Sequence, residues 1–504
     1  MVRCLSFNLS LHDIAKTPHV LTASSKDGGD NDTTDVKVIT NWQKSTRFVP
    51  SVYIEPTTIT QIQDIVRNTT VYPSPVRPAG NILSPSAICF NPEGTTLSLK
   101  QFRTIHGVKQ VKVPGSNQVI SCIDTDPGVT LRELQLYAHS HDLELSFSAE
   151  IGLATIGGTI FAVTKDSCIG EPTVPGMGIG DVASMLWSVD IVEANGDLKT
   201  YQVMTDKDGT FDTYFQGLLD SYGARGIAVR MLIVARPKTP VTTTVHFLPA
   251  HNPERLADEI TVIRQRSTNL GGNMFCALSY KSGLALVEER FPSNKKWMFA
   301  PISMILVPFY VELKKFLIQR CLFYPAWFHL FRLLSGSCLL RFKQSSRSPG
   351  NHYDRNLPAT TKRIDFTYFS FPSDNFKQVL TNGLNFVKAY EEEFNWAPRA
   401  FGIYFVTHSG KRVAGPYGGP AAKGPGGFSF DPVCDEPNEP QWDHFLIEFN
   451  KWAKSMNGRP SLNQTRMMEQ DKEYGSTCVP NIFDPEPRFT SPWLQQFFDA
   501  RTSE

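Results

Sequence analysis

The sequence predicts an α+β fold in at least two domains, on three observations. Its 504 residues exceed the size at which a single hydrophobic core keeps growing, so two or three domains are expected. Apolar residues make up 41% and charged residues 20% of the chain, an ordinary globular composition that gives each domain enough to bury. Strand-like and helix-like stretches follow one another in an order that suits antiparallel sheet with helices on one face.

Residues 1–40 include the polar run SSKDGGDNDTTD and read as a mobile N-terminal segment, with order expected to begin near NWQKSTRFVP. TTITQIQDIVRNT has helical apolar spacing after a threonine suited to capping, and QVISCIDTD reads as a strand. In PGVTLRELQLYAHSHDL, Leu131, Leu134, Leu136 and Ala138 recur at helical spacing. VASMLWSVDIVEANGDLKTYQV reads as two strands turning at Asn195-Gly196, a strong short-range hairpin signal. The helix FDTYFQGLLDSYG then leads to the strand GIAVRMLIVARP. Pro237 to Pro240 marks the boundary, giving one domain over residues 41–240 and a second over 241–504.

The second domain should contain the strands VTTTVHFL, MFCALSY, SGLALVEE, KRIDFTYFSF and RAFGIYFV. Its helices are NPERLADEITVIRQRS, DNFKQVLTNGLNFVKAYEEEF and QWDHFLIEFNKWAKSM. Between them lies an apolar, aromatic insert over residues 297–341. Its uncharged run WMFAPISMILVPFYV is shorter than the roughly 20 residues a bilayer span needs and contains two prolines. The insert is read as a buried helix pair, with an interfacial element making peripheral membrane contact as the alternative. AGPYGGPAAKGPGG reads as a loop.

A formal charge of +1 supplies no field to gather nucleic acid. Nine scattered cysteines without a C-x-x-C pair argue against a disulfide framework or a thiolate metal site. The first residues lack the apolar core of a secretory signal, so the chain is expected inside the cell, in the cytoplasm.

Two loops in the first half can present backbone amides to an anion. PVRPAGNILSPS carries three prolines and a glycine around Ile82-Leu83, and ATIGGTI carries Gly157-Gly158. Converging amides in a concave nest neutralise a pyrophosphate without any lysine. The ordered set of PVRPAGNILSPS, GTTLSLKQF, PGVTLREL, ATIGGTI, VDIVEANGDL and SYGARGIAV resembles the FAD-binding domain of the vanillyl-alcohol oxidase and p-cresol methylhydroxylase (PCMH) type, nearest its aldonolactone oxidase branch. The resemblance covers about residues 41 to 240, and the C-terminal end more loosely.

The resemblance implies a two-lobed PCMH-type FAD-binding domain followed by a substrate domain whose antiparallel sheet is covered by helices. Arg77 opens the first pyrophosphate loop, with Gly80, Asn81, Ile82, Leu83 and Ser84 supplying backbone contacts. Thr155, Gly157 and Gly158 form the second, and Gly226, Ile227 and Val229 match the strand whose backbone reads the adenine edge. Thr164 and Ser167 fall where the family has a Thr-His-Gly-Ser run, with Lys165 in the histidine's place. Many members link the flavin covalently through a histidine where this chain has Leu83, so the FAD is expected to be bound without a covalent link.

GRPSLNQT sits where aldonolactone oxidases carry G-R-P-H-W-G-K, which puts Gln464 in the lysine's place and Ser461 in the histidine's. The family's Glu-x-Arg strand corresponds to FGIYFVTHSG, which offers Tyr404 and His408. His408 and Tyr404 are the candidates for a catalytic base, Asn463 is a third polar candidate, and Gln464 is the candidate donor to the reduced flavin. The expected activity is FAD-dependent oxidation of an alcohol or other activated carbon on a lipophilic small molecule, with oxygen or another acceptor taking the electrons. A sugar-type aldonolactone oxidase and a non-redox flavoprotein cyclase are the alternatives.

Overall fold

The computed structural model describes residues 37–146, 152–162, 164, 182–204, 212–219, 221–238, 241–292, 344–346, 364–406, 427–435, 439–479 and 484–501. The expected loop at 414–427, all but its last residue, lies outside these, as do residues 1–36 and the apolar insert 297–341.

The chain opens with a short hairpin, β1 (Ile39–Thr40) and β2 (Arg47–Phe48). A parallel three-stranded sheet follows, in the order β3 (Val52–Ile54), β5 (Thr95–Ser98) and β4 (Val76–Ala79). Helix α1 (Ile59–Arg67) connects β3 to β4 and starts where Thr58 accepts a hydrogen bond from the Gln61 amide. Its Ile62, Ile65 and Val66 pack with Val76, Leu97 and Val229 in the core of this first lobe.

The second lobe is an antiparallel sheet of β6 (Ile105–Lys112), β7 (Val119–Thr125), β9 (Leu186–Val192), β10 (Leu198–Gln202) and β11 (Ile227–Pro237), in the order β10-β9-β11-β7-β6, with the short β8 (Leu143–Glu144) beside β11. The β9-β10 turn closes at Asn195-Gly196 as expected, with Gly196 at a φ of 80° that few side chains tolerate. Helix α2 (Leu131–Ser140) begins in a full capping box between Thr130 and Glu133 and buries Leu131, Leu134 and Ala138. Two short helices, α3 (Ile156–Phe161) and α4 (Thr213–Leu219), lie on the same core.

After β11 the chain enters a large antiparallel sheet. Its strands are β12 (Val241–Pro249), β13 (Asn273–Ser279), β14 (Leu284–Pro292), β15 (Gln344–Ser346), β16 (Asp365–Phe366), β17 (Phe369–Pro372), β18 (Ala400–Val406), β19 (Gly427–Cys434) and β20 (Arg459–Pro460). Their order is β15-β12-β14-β13-β18-β19-β17-β20, with β16 beside β19. Helices α5 (Pro253–Asn269), α6 (Phe376–Phe394) and α7 (Pro440–Ser455) bury their apolar stripes on one face of this sheet. The expected single strand over KRIDFTYFSF is instead two, β16 and β17, and β19 is a strand the sequence reading left unassigned.

Beyond α7 come α8 (Lys472–Ser476) and α9 (Pro492–Arg501). The stretch between them returns to the first lobe, where Phe489 joins the core. Arg488 donates there to the carbonyls of Ile65, Val66 and Tyr72 and to the Ser74 hydroxyl, capping the end of α1. The first lobe thus takes one core residue from the far end of the chain.

Candidate active site

A cavity of about 300 Å³ runs between the two lobes and the large sheet. Arg77, Gly80, Asn81, Ile82, Leu83, Ser84, Thr155, Gly157, Gly158, Thr164, Gly226, Tyr404, Asn463 and Gln464 all line it. Residues predicted from five separate stretches of sequence therefore meet around one cavity.

The first loop follows β4, and four of its carbonyls are tied to the hairpin at residues 39–48. Trp42 N–H donates to the Ile82 carbonyl at 3.0 Å, Gln43 to Leu83 at 3.1 Å, Asn41 to Ser84 at 3.0 Å and Ser45 to Pro85 at 3.2 Å. The hairpin at residues 39–48 is thus a brace for the loop. The amides of Gly80 through Ser84 donate to no protein acceptor among the described residues. Ile82 sits at a φ of 51°, the left-handed turn that lets successive amides converge. Five unspent amides beside the four tied carbonyls of residues 82–85 are a donor set that suits a pyrophosphate.

The second loop is closed differently from expectation. ATIGGTI is the start of α3, with Thr155 as its cap. The Gly157 amide is spent on the Pro127 carbonyl at 2.9 Å, and that of Gly158 on Thr155 Oγ1 at 3.3 Å. These two glycines therefore serve close approach rather than amide donation. A Cβ on Gly157 would stand 2.7 Å from Pro127, and one on Gly80 only 2.2 Å from Thr155 Oγ1, so glycine is what lets the two loops touch. Asn81 links them further by donating to the Leu153 carbonyl at 2.6 Å.

Gly226 lines the cavity at a φ of 154°, as does Ala228, while Ile227 and Val229 place their side chains in the first-lobe core, the alternation a strand imposes. Arg77 is buried, and its two terminal nitrogens each donate at 2.9 Å, to the carbonyls of Phe489 and Tyr222. Its Nε has no protein partner, and burial pushes the guanidinium down to about 10, still charged at neutral pH. It is a positive wall beside the amides. Cys89 lines the same wall, and burial pushes its thiol up to about 11.

Asn463 is held on three sides. Its side-chain oxygen accepts from Ser84, its amide donates to the Ala162 carbonyl at 3.3 Å, and its own carbonyl accepts from Ser86 at 3.0 Å. It ties the second half of the chain to the first loop and to the end of α3. Gln464 lines the cavity with a side-chain amide that has no protein partner among the described residues. Ser461 is buried in the turn that precedes it and accepts from the Gln464 and Thr465 amides. His408, Lys165 and Ser167 lie outside the described residues.

Across the cavity stands the large sheet. Phe401, Ile403, Phe405, Phe428 and Phe430 point into the helix-covered core, which leaves Gly402, Tyr404, Ser429, Asp431 and Val433 on the opposite face. Gly402, Tyr404, Asp431 and Val433 line the cavity with Ile364 and Phe366. The Tyr404 ring lies 4.8 Å from that of Phe275. Asp431 is buried, accepts from Ser429 Oγ at 3.1 Å, and is the carboxylate among the lining residues. Sequence reasoning missed it. The alternation of FSFDPVC, read as strand despite its proline, would have put Ser429 and Asp431 on one face.

The residues present fit FAD: unspent amides and a buried arginine suit the pyrophosphate, and apolar Ile82 and Leu83 suit a flat ring. Comparison with known proteins agrees on the class. Residues 50–201 match the model of a family described as FAD binding domain. No curated protein matches the chain in sequence. Among solved structures, cholesterol oxidase from Brevibacterium sterolicum superposes with a TM-score of 0.63 at 13% identity, covering 94% of this chain and 99% of that one. A histidine-to-alanine variant of it gives 0.64 at 14%, covering 90% and 91%. A solvent-stable cholesterol oxidase gives 0.64 at 15%, covering 93% and 94%. The chain thus has a two-domain PCMH-like FAD-binding fold of the kind seen in these enzymes.

Proposed function

We propose that the protein is an FAD-dependent oxidoreductase acting on an alcohol, or another activated carbon, of a lipophilic small molecule. The observation that carries this reading is the single cavity shared by the unspent loop amides on one side and Tyr404, Asp431 and Gln464 on the other. Bound FAD supplies hydride acceptance. The chain's own residues do the rest. The amides of Gly80 to Ser84 and the Arg77 charge hold the anionic end of the cofactor. The Gln464 amide supplies a neutral donor where negative charge gathers.

Ile364, Phe366, Phe161 and Val433 give the cavity apolar walls, which suit an apolar substrate better than a sugar lactone. The structures of like fold are oxidases named for cholesterol, itself a lipophilic alcohol. The flavin is held without a covalent bond: Leu83 lines the cavity with no nucleophilic atom, and the nearby Cys89 thiol is kept protonated by burial.

Anaerobic mixing with a panel of lipophilic alcohols and sugar lactones tests the reading. Bleaching of the flavin by lipophilic alcohols is expected. Bleaching by lactones alone moves the assignment to sugar chemistry, and product formed without bleaching moves it to a non-redox cyclase.

A further inference from the structure

Residues 484–490, near the end of the chain, tie together two segments that line the cavity. The first is β4, the edge strand of its sheet, which leads straight into the first loop. The chain end covers that edge: the Val76 amide donates to the Arg488 carbonyl at 2.7 Å, and Arg77 Nη1 to that of Phe489 at 2.9 Å. The second is the turn before β11, whose Tyr222, Gly223 and Gly226 line the cavity. There the Glu486 amide donates to the Ala224 carbonyl at 3.0 Å, and Arg225 donates to the Asp484 carbonyl at 2.9 Å and to the Glu486 carboxylate at 3.1 Å. Arg77 joins the two segments, since its other terminal nitrogen donates to the Tyr222 carbonyl.

What this clasp buries is a cation. Arg77 is 6% exposed, its hydrogen bonds end on neutral carbonyls, and no carboxylate among the described residues forms an ion pair with it. The ionisable neighbour that acts on it is the Cys89 thiol, itself kept protonated by burial. Burying an unpaired charge is costly. Docking of the chain end adds to that cost, because the Phe489 carbonyl takes a place that water would hold on the guanidinium. A diphosphate on the amides of Gly80 to Ser84, which continue the same strand, supplies the missing negative charge.

We infer that the docking of residues 484–490 is linked to the cofactor: the chain end closes over Arg77 when the FAD diphosphate is bound and loosens when it leaves. The inference rests on the reading of the cavity as an FAD site. Linkage is reciprocal, so the docked chain end raises the affinity for FAD by the same factor by which FAD favours docking. Arg77 carries the coupling, and residues 484–490 are positioning residues that act through it.

Hydrogen–deuterium exchange of the full-length protein, with FAD bound and after its removal, tests the link. The amides of residues 484–490 and of Val76 are expected to exchange about 5- to 150-fold more slowly with FAD, the usual span of coupling between two sites. Equal exchange in the two forms overturns the link and leaves the FAD site standing, whereas a protein that takes up no FAD overturns that site and the link with it. Arg77→Met separates the link from general stiffening. FAD should still bind through the loop amides, more weakly, but exchange over residues 484–490 should no longer respond to it. A response as large as in the wild type overturns Arg77 as the carrier. A further measurement needs no variant: ADP, which has the diphosphate and lacks the flavin, should by itself slow exchange over residues 484–490 in the wild-type apoprotein. No slowing at millimolar ADP overturns the proposal, even if Arg77→Met fails to fold.

Discussion

Beneath the Tyr404 ring there is room for a hydrogen and little more. A methyl group at residue 402 would lie 3.1 Å from Tyr404 Cε2, so Gly402→Ala must push the ring by a few tenths of an ångström. Misplacement by about 1 Å can cost on the order of 100-fold in rate, so a shift of this size should slow flavin reduction by about tenfold. Flavin content should stay unchanged, because Gly402 belongs to the sheet and not to the flavin loops. Gln464 lines the same cavity, and the role proposed for it is that of a neutral donor. Gln464→Leu removes that donor, and loss of one preorganised donor costs on the order of 100-fold. Stopped-flow reduction by one substrate at saturation checks both, and equal rates would remove Gln464 from the site. These residues differ in how far they could be read in sequence. Tyr404 and Gln464 were visible through their place in a family pattern, whereas Asp431 was hidden behind Pro432, which argues against a central strand until the register with β18 is known.

At the scale of elements, the flavin loop works because something else holds it. Its glycine and prolines announced an irregular segment, and its residues were legible for that reason. The brace was not, since Asn41, Gln43 and Ser45 act on carbonyls about 40 residues away, a pairing no local pattern encodes. The same limit explains α3. Two adjacent glycines suggested an open nest, but Thr155 is a helix cap and the amides are already occupied. Asn463 shows what the loops require from the other domain. Asn463→Ala deletes the acceptor for Ser84 and the donor to Ala162. At about 1 kcal/mol for a typical net hydrogen bond, two such losses predict an FAD affinity weaker by roughly 10- to 30-fold. Titration of the apoprotein with FAD measures it. An unchanged affinity would mean that the loop keeps its shape without the second domain.

For the whole molecule, the antiparallel sheet with helices on one face was legible because α5, α6 and α7 carry clear amphipathic periods and β13 and β18 are largely apolar runs. The return of the C-terminal segment to the first lobe was not, because one phenylalanine and one arginine in an irregular stretch carry no period. That return encloses the site: Arg77, on the cavity wall, is held by the carbonyl of Phe489. The two loops and the large sheet therefore converge on one cavity, with the chain end behind Arg77, and the central claim is that FAD occupies it without a covalent bond. Acid precipitation of the purified yellow protein tests this most directly. The account predicts that all the colour passes into the supernatant as intact FAD, about one per chain; a colourless protein, or a washed pellet that stays yellow, would contradict it.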